Sequence, residues 1–416
     1  MLQRILIRLP ATPSLSKIEE CLHGIRSAPN SDLWLPTNVG TGGLFGWACL
    51  HQAIITWARR RGHGAVIVET DHPSQANLVE RVVHKPHGIV AALVAERIRS
   101  RAGVDQTLLF REAAAHELRI SQQPPQFVTS QSMLPGLDED LAGSSPKRRG
   151  GLSIELCADG LGALATPRSL YSFRAGSPVP RSATEFGDWV LREFNQTFKK
   201  DAMQAARVDL AGLSEIGRAI AELFSNTHKW ARTDVGGAWI RRSVRGIVTD
   251  AVRNAGERFN VDEPGPIRDF LNSFTTRFPG GLNTGAMEIS VFDSGPGLAQ
   301  HWLGRPIDDG EDLTLERDAV ASCLQKWGTK GGAESRGLGL HTVMANLSKP
   351  EVGGLLLIRT GRLSLFRDLS RNPLQSLPDA RVDRSAYQMN DLFPRRLARA
   401  EGTLISLILP MPTKPA

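Results

Sequence analysis

Glu222 and Asn226 stand four residues apart in Glu222-Leu-Phe-Ser-Asn226, and Asp293 opens a second stretch, Asp293-Ser-Gly-Pro-Gly297. A carboxylate and a carboxamide at i, i+4 lie one turn apart on the same side of a helix. The carboxylate can polarise a nucleophile, and the carboxamide oxygen can ligate a hard cation. An acid at a strand end can accept a hydrogen bond from an exocyclic amine, and glycines let backbone approach a flat base. Pro296 fixes its own φ and stiffens that turn. A third stretch, Lys326-Trp-Gly-Thr-Lys-Gly-Gly-Ala-Glu-Ser-Arg-Gly-Leu-Gly-Leu-His341, sets bare backbone, Lys330 and Arg336 ahead of a helical pattern over His341–Leu347. N–H groups at such a helix start suit phosphate oxygens. Together the three stretches carry the chemistry of an ATP site. Singly, each also reads as an amphipathic helix, a plain Asp-Ser-Gly turn and a glycine-rich loop.

The elements that must position these groups can be read from periodicity. Asp209 caps a helix running to Ala231, on which Leu213, Ile216, Ile220, Leu223, Phe224 and Thr227 share an apolar face. Glu222 and Asn226 project about a quarter-turn from that face, and Lys229 joins them. Met287-Glu-Ile-Ser-Val-Phe-Asp293 alternates with period two, so Asp293 ends a strand. Gly402-Thr-Leu-Ile-Ser-Leu-Ile-Leu-Pro410 reads as a closing strand, and Thr184 starts a further helix reaching about Arg207.

Upstream, residues 1–120 read as an α/β module. Strands are expected at Arg4–Leu9, Asp32–Pro36 and Ala65–Glu69, with helices over Leu15–Arg26 and from Gly40-Thr-Gly-Gly43 to Arg61. Leu78–Arg101 carries a helical pattern. Residues 121–180 read as a linker or irregular segment, rich in Gln, Pro, Ser and charge to Gly150 and strand-like in short pieces beyond it. Residues 181–416 form the second domain. Gly40-Thr-Gly-Gly43 is no phosphate-binding P-loop, because no Gly-Lys-Ser/Thr follows it. Asp159-Gly-Leu-Gly162 imitates Asp293-Ser-Gly-Pro-Gly297, but with the wrong spacing.

In order and chemistry the three stretches resemble the GHKL superfamily of gyrase-type topoisomerases, MutL, heat-shock chaperones, sensor histidine kinases and anti-sigma serine kinases. Glu222-x-x-x-Asn226 resembles the N box, Asp293-x-Gly-x-Gly297 the G1 box and Arg336-Gly-Leu-Gly-Leu340 the G2 box. The likeness covers about residues 205–410. It implies an α/β (α+β) sandwich of the Bergerat type, with helices on one face of a mixed sheet. It also implies ATP and Mg²⁺ as cofactors. Carried over residue by residue, Asn226 would ligand Mg²⁺ and Asp293 would read adenine. Gly295 and Gly297 would shape the adenine pocket. Gly337 and Gly339 would cradle phosphate, with Lys229, Lys330 and Arg336 as auxiliary cations. The stretch from Asn226 to Asp293 is longer than in a compact histidine kinase, so an insertion is expected within Asp250–Gly285. Ser335 stands where many relatives have glycine.

Glu222 bears on the reaction. The resemblance gives the N-box Glu the role of polarising a water or hydroxyl, which tilts the expectation toward ATP hydrolysis or Ser/Thr phosphorylation. Asn226-Thr-His-Lys-Trp-Ala231 instead resembles the histidine-kinase form of the same box. The helix ending near Arg207 holds no histidine to phosphorylate, and His51 and His63 read as core or surface residues. Asp32-Leu-Trp-Leu-Pro36, Gly43-Leu-Phe-Gly46 and Ala65–Glu69 faintly resemble a STAS-like module, with Thr41 near that family's phosphorylated serine. The expected function is therefore an ATPase or kinase switch governed by its amino-terminal module. An ATP-sensing scaffold and a nucleic-acid-linked ATPase are the alternatives. The expected partners are ATP and a protein, with a homodimer left open.

Composition narrows these classes. The chain of 416 residues is 41% hydrophobic, enough for two cores, and no run reaches the length of a membrane span. Met1–Pro10 carries charges inside a short alternating strand, unlike a secretory signal, so a cytoplasmic location is expected. Cys21, Cys49, Cys157 and Cys323 are widely spaced and read as reduced thiols. A net charge of +7 permits an acidic partner, but it is dispersed in knots such as Arg59-Arg60-Arg61, which read as solvated surface, and does not indicate nucleic acid.

Overall fold

A computed structural model describes residues 4–40, 42–60, 62, 64–69, 79, 81–121, 152–161, 166–203, 210–252, 263–277, 285–325, 339–349, 352–374 and 384–411. Four short apolar segments form strands β1 (Leu6–Arg8), β2 (Asp32–Leu35), β3 (Val66–Val68) and β4 (Ile98–Ser100), paired in parallel in chain order. Helix α1 (Leu15–Ser27) joins β1 to β2, and α2 (Gly46–Arg59) joins β2 to β3. Helix α3 (Pro86–Val94) precedes β4, and α4 (Thr107–Ser121) follows it. Sequential parallel strands linked by crossovers of one hand carry their helices on one face. Burial agrees: Ile7, Leu33, Leu35, Val66, Val68 and Ile98 enter the core, whereas Leu6, Arg8 and Arg99 face outward. The helical pattern over Leu78–Arg101 thus breaks where Arg97-Ile-Arg-Ser100 switches to period two and becomes β4.

The next elements are β5 (Leu152–Ala158), the hairpin β6 (Tyr171–Arg174) with β7 (Ser177–Pro180), and helices α5 (Ala183–Met203) and α6 (Leu210–Trp230). They are followed by β8 (Val244–Val252), α7 (Gly265–Arg277), β9 (Gly285–Asp293), α8 (Leu298–Leu303), α9 (Leu313–Leu324) and α10 (Gly339–Leu347). Strands β10 (Leu355–Gly361), β11 (Leu363–Asp368), β12 (Asn390–Asp391) and β13 (Ala400–Met411) complete the chain. One seven-stranded sheet runs in the order β12-β11-β10-β13-β9-β8-β5.

Three expectations change here. Every pairing in the seven-stranded sheet is antiparallel, so parallel pairing is confined to the amino-terminal sheet and neither sheet is mixed. Residues 152–180, read as part of a linker, instead supply the edge strand β5 and the hairpin whose Tyr171 is buried in the second core. Helices also cover both faces of the large sheet. On one face α5, α6, α8, α9 and α10 pack against Ile247, Met287, Ile289, Val291, Leu356, Ile358, Ile405 and Leu407. On the other, α2 and α7 meet Val244, Val248, Phe292, Leu357, Leu404 and Ile408. Leu355-Leu-Leu-Ile358 and Leu404-Ile-Ser-Leu-Ile-Leu409 are apolar on alternate and intervening positions alike, because both of their faces are buried. The molecule is therefore four layers deep. Helix α7 occupies the stretch where an insertion was expected.

Buried polar groups stitch the two halves together. Arg359 of β10 pairs with Glu19 of α1 (Nε to Oε1, 2.6 Å), and both side chains are almost wholly buried. Glu288 of β9 accepts a hydrogen bond from the backbone N–H of Phe45 at the start of α2 (2.7 Å). Gln52 Nε2 donates to the carbonyl of Arg359 (3.0 Å), and Thr56 Oγ1 accepts from the N–H of Glu401 (2.9 Å). The amino-terminal α/β module therefore shares a core with the large sheet. The four cysteines are free, as their spacing implied. Among the described residues no helix is long and apolar enough to cross a membrane.

Candidate functional site

The candidate site lies where β9 ends and α6 finishes. Asp293 is buried, and its Oδ1 accepts from the N–H of Gly295 (2.8 Å) and of Thr403 (3.2 Å). Among the described residues Oδ2 has no hydrogen-bond donor, so half of this carboxylate is left for something else. Burial pushes its pKa up to about 6, opposed by the two N–H donors and the charges of Arg245 and Arg59. Above that pH Asp293 is a pure acceptor.

The turn after Asp293 is built by close contacts. A Cβ on Gly295 would stand 2.7 Å from Ala231 Cα, so the turn rests directly on the residue that follows the Glu222–Asn226 helix. Gly402, at φ +74, brings β13 so close that a side chain there would collide with the Asp293 carbonyl oxygen. Gly297, at φ +83, caps α8, and the N–H of Leu298 donates to Thr360 Oγ1 (3.1 Å). Ser294 Oγ accepts from the N–H of Val244 (2.9 Å), which fixes the turn to the start of β8.

On α6, Ile216, Ile220, Leu223, Phe224 and Thr227 are buried, as the apolar period requires. Glu222 and Asn226 are half-buried, Lys229 is exposed, and among the described residues neither Glu222 nor Asn226 forms a side-chain hydrogen bond. Between His228 of the same helix and the Asp293 turn runs a continuous polar chain. Arg245 grips Asp159 (Nη2 to Oδ1, 2.6 Å; Nε to Oδ2, 3.0 Å) and donates Nη1 to the Tyr171 hydroxyl at 2.6 Å. That hydroxyl lies 3.1 Å from His228 Nδ1. Arginine only donates, so the tyrosine proton points to His228, whose Nδ1 is the acceptor. Burial, then Arg245 and Arg232, lower the His228 pKa to about 4, which keeps the ring neutral. At the other end, Ser243 Oγ donates to Asp159 Oδ2 (2.8 Å) and lies 3.5 Å from Ser294 Oγ.

The structure thus brings the helix carrying Glu222, Asn226 and Lys229 together with Asp293, Gly295 and Gly297. Gly339 begins α10, which packs along α6 and is anchored by Asn346 Nδ2 on the Glu215 carbonyl (3.2 Å). Lys330, Arg336 and Gly337 lie outside the described residues, as does Thr41. Sequence reasoning missed Thr403 and Thr360, although Gly402-Thr403 at a strand start was a usable signal. It also missed Arg59. Part of a knot read as solvated surface, Arg59 turns inward, and its Nη2 donates to the carbonyl of Ser294 at 3.0 Å.

No protein-family model matches the chain, and no curated protein or solved structure is significantly similar to it.

Proposed function

We propose that this chain binds ATP in a GHKL-type, Bergerat-like fold and uses its hydrolysis or transfer as a switch. The observation that supports this best is the half-satisfied carboxylate of Asp293, whose turn rests on the end of the Glu222–Asn226 helix. Asp293 Oδ2 would accept from the adenine amino group. Gly295 and Gly297 would let the base lie against bare backbone, with Lys229, Lys330, Arg336, Gly337 and Gly339 on the phosphate side. Glu222 would polarise the attacking water or hydroxyl, a role that contributes about 10²- to 10⁴-fold.

The donor set at Asn226 fits Mg²⁺. Among the described residues its carboxamide has no competing partner, and no cluster of three or more His, Cys, Asp or Glu side chains there could hold a metal by itself. A magnesium ion there would neutralise phosphate charge, drawing its remaining ligands from phosphate and water, as such ions commonly do.

Control by the amino-terminal module is supported by α2, which spans from Glu288 to the Asp293 turn and touches that turn through Arg59. A STAS-like role for the module is carried by the sequence resemblance alone. The test is calorimetric ATP binding and phosphate release by wild type, Glu222→Ala, Asn226→Ala and Asp293→Asn. Asp293→Asn is expected to weaken binding about 100-fold, because its amide would face adenine's amino group donor to donor. Glu222→Ala is expected to bind normally and turn over at least about 100-fold more slowly. Binding and turnover like wild type in all three variants would overturn the proposal.

A further inference from the structure

Beyond α6 the chain turns back on itself in a small hairpin, residues 232–240. The N–H of Ile240 donates to the Arg232 carbonyl and that of Asp234 to the Ala238 carbonyl, both at 2.9 Å, and Thr233 pairs with Trp239 across the legs. Gly237, at φ +84, closes the turn, and Asp234 Oδ1 accepts from the N–H groups of Gly236 and Ala238, each at 2.9 Å. At the base, Ser243 Oγ lies 3.5 Å from the Ala231 carbonyl oxygen. This well-tied hairpin carries Trp239 at 68% exposure. The Arg232 guanidinium lies over the indole, 4.7 Å from its centroid, and so much exposure leaves the rest of the ring to solvent. Trp230, at the end of α6, is 41% exposed and rests against His301 (ring centroids 4.9 Å). Single exposed apolar residues are ordinary, but two tryptophans flanking one rigid hairpin base, one of them under a cation, make a platform.

Cations border that platform. Arg241 and Arg242 follow the hairpin, and among the described residues neither forms an ion pair or a side-chain hydrogen bond. Arg242 is held at φ +64, a left-handed conformation that costs energy for any residue but glycine. The acids nearby do not cancel this charge. Asp234 sets one negative charge against Arg232, Arg241 and Arg242. Asp159, 3.4 Å from Arg232 Nε, is already paired with Arg245. Glu96 lies in the field of Arg242, but so does Arg111. Each outside acid thus comes with its own arginine, and the hairpin keeps an excess of two positive charges. Lys229 adds a third, with Glu222 seven residues back, about 10 Å along the helix. Ring and charge together decide what could cover this surface. An acidic peptide supplies charge without a ring that must lie flat, and a duplex keeps its base faces stacked on one another. A single strand offers phosphates and open base faces at once.

We propose that the Trp239 hairpin is a binding surface for single-stranded nucleic acid, one base stacking on the indole while phosphates meet Arg241 and Arg242. It stands independently of the ATP reading, so binding is measured without nucleotide. The full chain is titrated into fluorescently labelled oligodeoxythymidylate, oligouridylate and a duplex of the same length, and followed by anisotropy. Both single strands are expected to bind more tightly than the duplex, and the tighter of the two identifies DNA or RNA as the source. Trp239→Ala is expected to weaken single-strand binding at least about fivefold. Trp239→Phe, which keeps a flat ring, should fall between. Arg241→Gln with Arg242→Gln should make the slope of log affinity against log salt shallower by about 1.4, the share of two phosphate contacts. Melting curves check that each variant folds, and a side chain so exposed should leave them unmoved. No binding of either single strand, a duplex bound as tightly, or unchanged affinity in a folded Trp239→Ala would overturn the surface. So would displacement of the strand by polyglutamate at equal charge, which would mark a site for acidic protein instead.

Discussion

Two acids close two strands at the same end of the large sheet, on either side of β8, and only one is fully paired. Asp159, just after β5, takes hydrogen bonds on both oxygens, from Arg245 twice and from Ser243, with Arg232 Nε 3.4 Å away. Burial would raise its pKa, but these partners hold it below the usual carboxylate range. Asp293, at the end of β9, takes two backbone N–H groups on one oxygen and, among the described residues, no donor on the other, and burial lifts it to about 6. Both acids precede glycines and resemble one another in sequence. The difference is that Asp159 spends its charge on an arginine within the fold, whereas Asp293 keeps an acceptor in reserve. A carboxylate saturated by its own protein holds structure; one left half-satisfied is poised for a ligand.

The largest effect that would test this contrast is on the saturated acid. Arg245→Ala strands the buried Asp159 and also removes a partner of Tyr171, so a loss of about 3–5 kcal/mol is expected, read from the urea midpoint with an unchanged slope. Replacing the pair together, Arg245→Met with Asp159→Leu, should recover much of that loss, since the stranded charge goes with its partner. A drop below about 1 kcal/mol for Arg245→Ala would mean that Asp159 is not held as its geometry indicates.

The half-satisfied acid should behave in the opposite way. Its folded pKa is raised, so the folded state keeps a proton across the window from 3.8 to about 6 that the unfolded chain has lost. The buried charge therefore costs stability, and that cost is full above pH 6 and gone below pH 3.8. Asp293→Asn should consequently melt no lower than wild type at pH 8, while ATP affinity falls about 100-fold. In wild type, affinity should be flat above pH 6 and weaken about tenfold per pH unit below it, as Oδ2 gains a proton. Affinity that is flat down to pH 4 would remove Asp293 from the binding site.

A smaller effect probes the chain between the two acids. Tyr171→Phe deletes the hydroxyl that accepts from Arg245 and donates to His228 Nδ1. A loss of about 1–2 kcal/mol is expected, with the His228 ring signals shifted in NMR because Nδ1 no longer has a donor. Unmoved ring signals would break the link from the Asp159 cluster to α6.

How much of this was legible beforehand depended on distance along the chain. The Glu222–Asn226 helix could be read because its apolar residues recur within one element, and the Asp293 turn because alternation stops at an acid and two glycines. The saturation of Asp159 could not be read, since Arg245 lies on a neighbouring strand whose register only the folded sheet sets. Strand β5 was legible only as a short strand-like piece, not as part of the large sheet, for a related reason: Ser153 and Glu155 interrupt its apolar run, although both are buried in the sheet. The doubly apolar strands carry a signal of burial on both faces that was not read, and nothing local says that α2 would supply the second cover.

Arg59 sharpens the comparison at its finest scale. It is the contact through which the amino-terminal layer reaches the reserved acid, by a hydrogen bond to the Ser294 carbonyl and by a positive field that lowers the Asp293 pKa. Arg59→Ala removes both. The field lost favoured the charged carboxylate, so the Asp293 pKa must rise above about 6, and the pH at which ATP affinity begins to fall must rise with it. At pH 8 the variant should bind within a few-fold of wild type, because a single part-exposed hydrogen bond contributes only about 1 kcal/mol. At pH 6.5 it should bind measurably less than wild type, and adding Asp293→Asn should abolish that pH dependence. If the profiles of wild type and Arg59→Ala coincide, the amino-terminal layer supports the sheet without speaking to the acid, and control of the switch would have to reach it by another path.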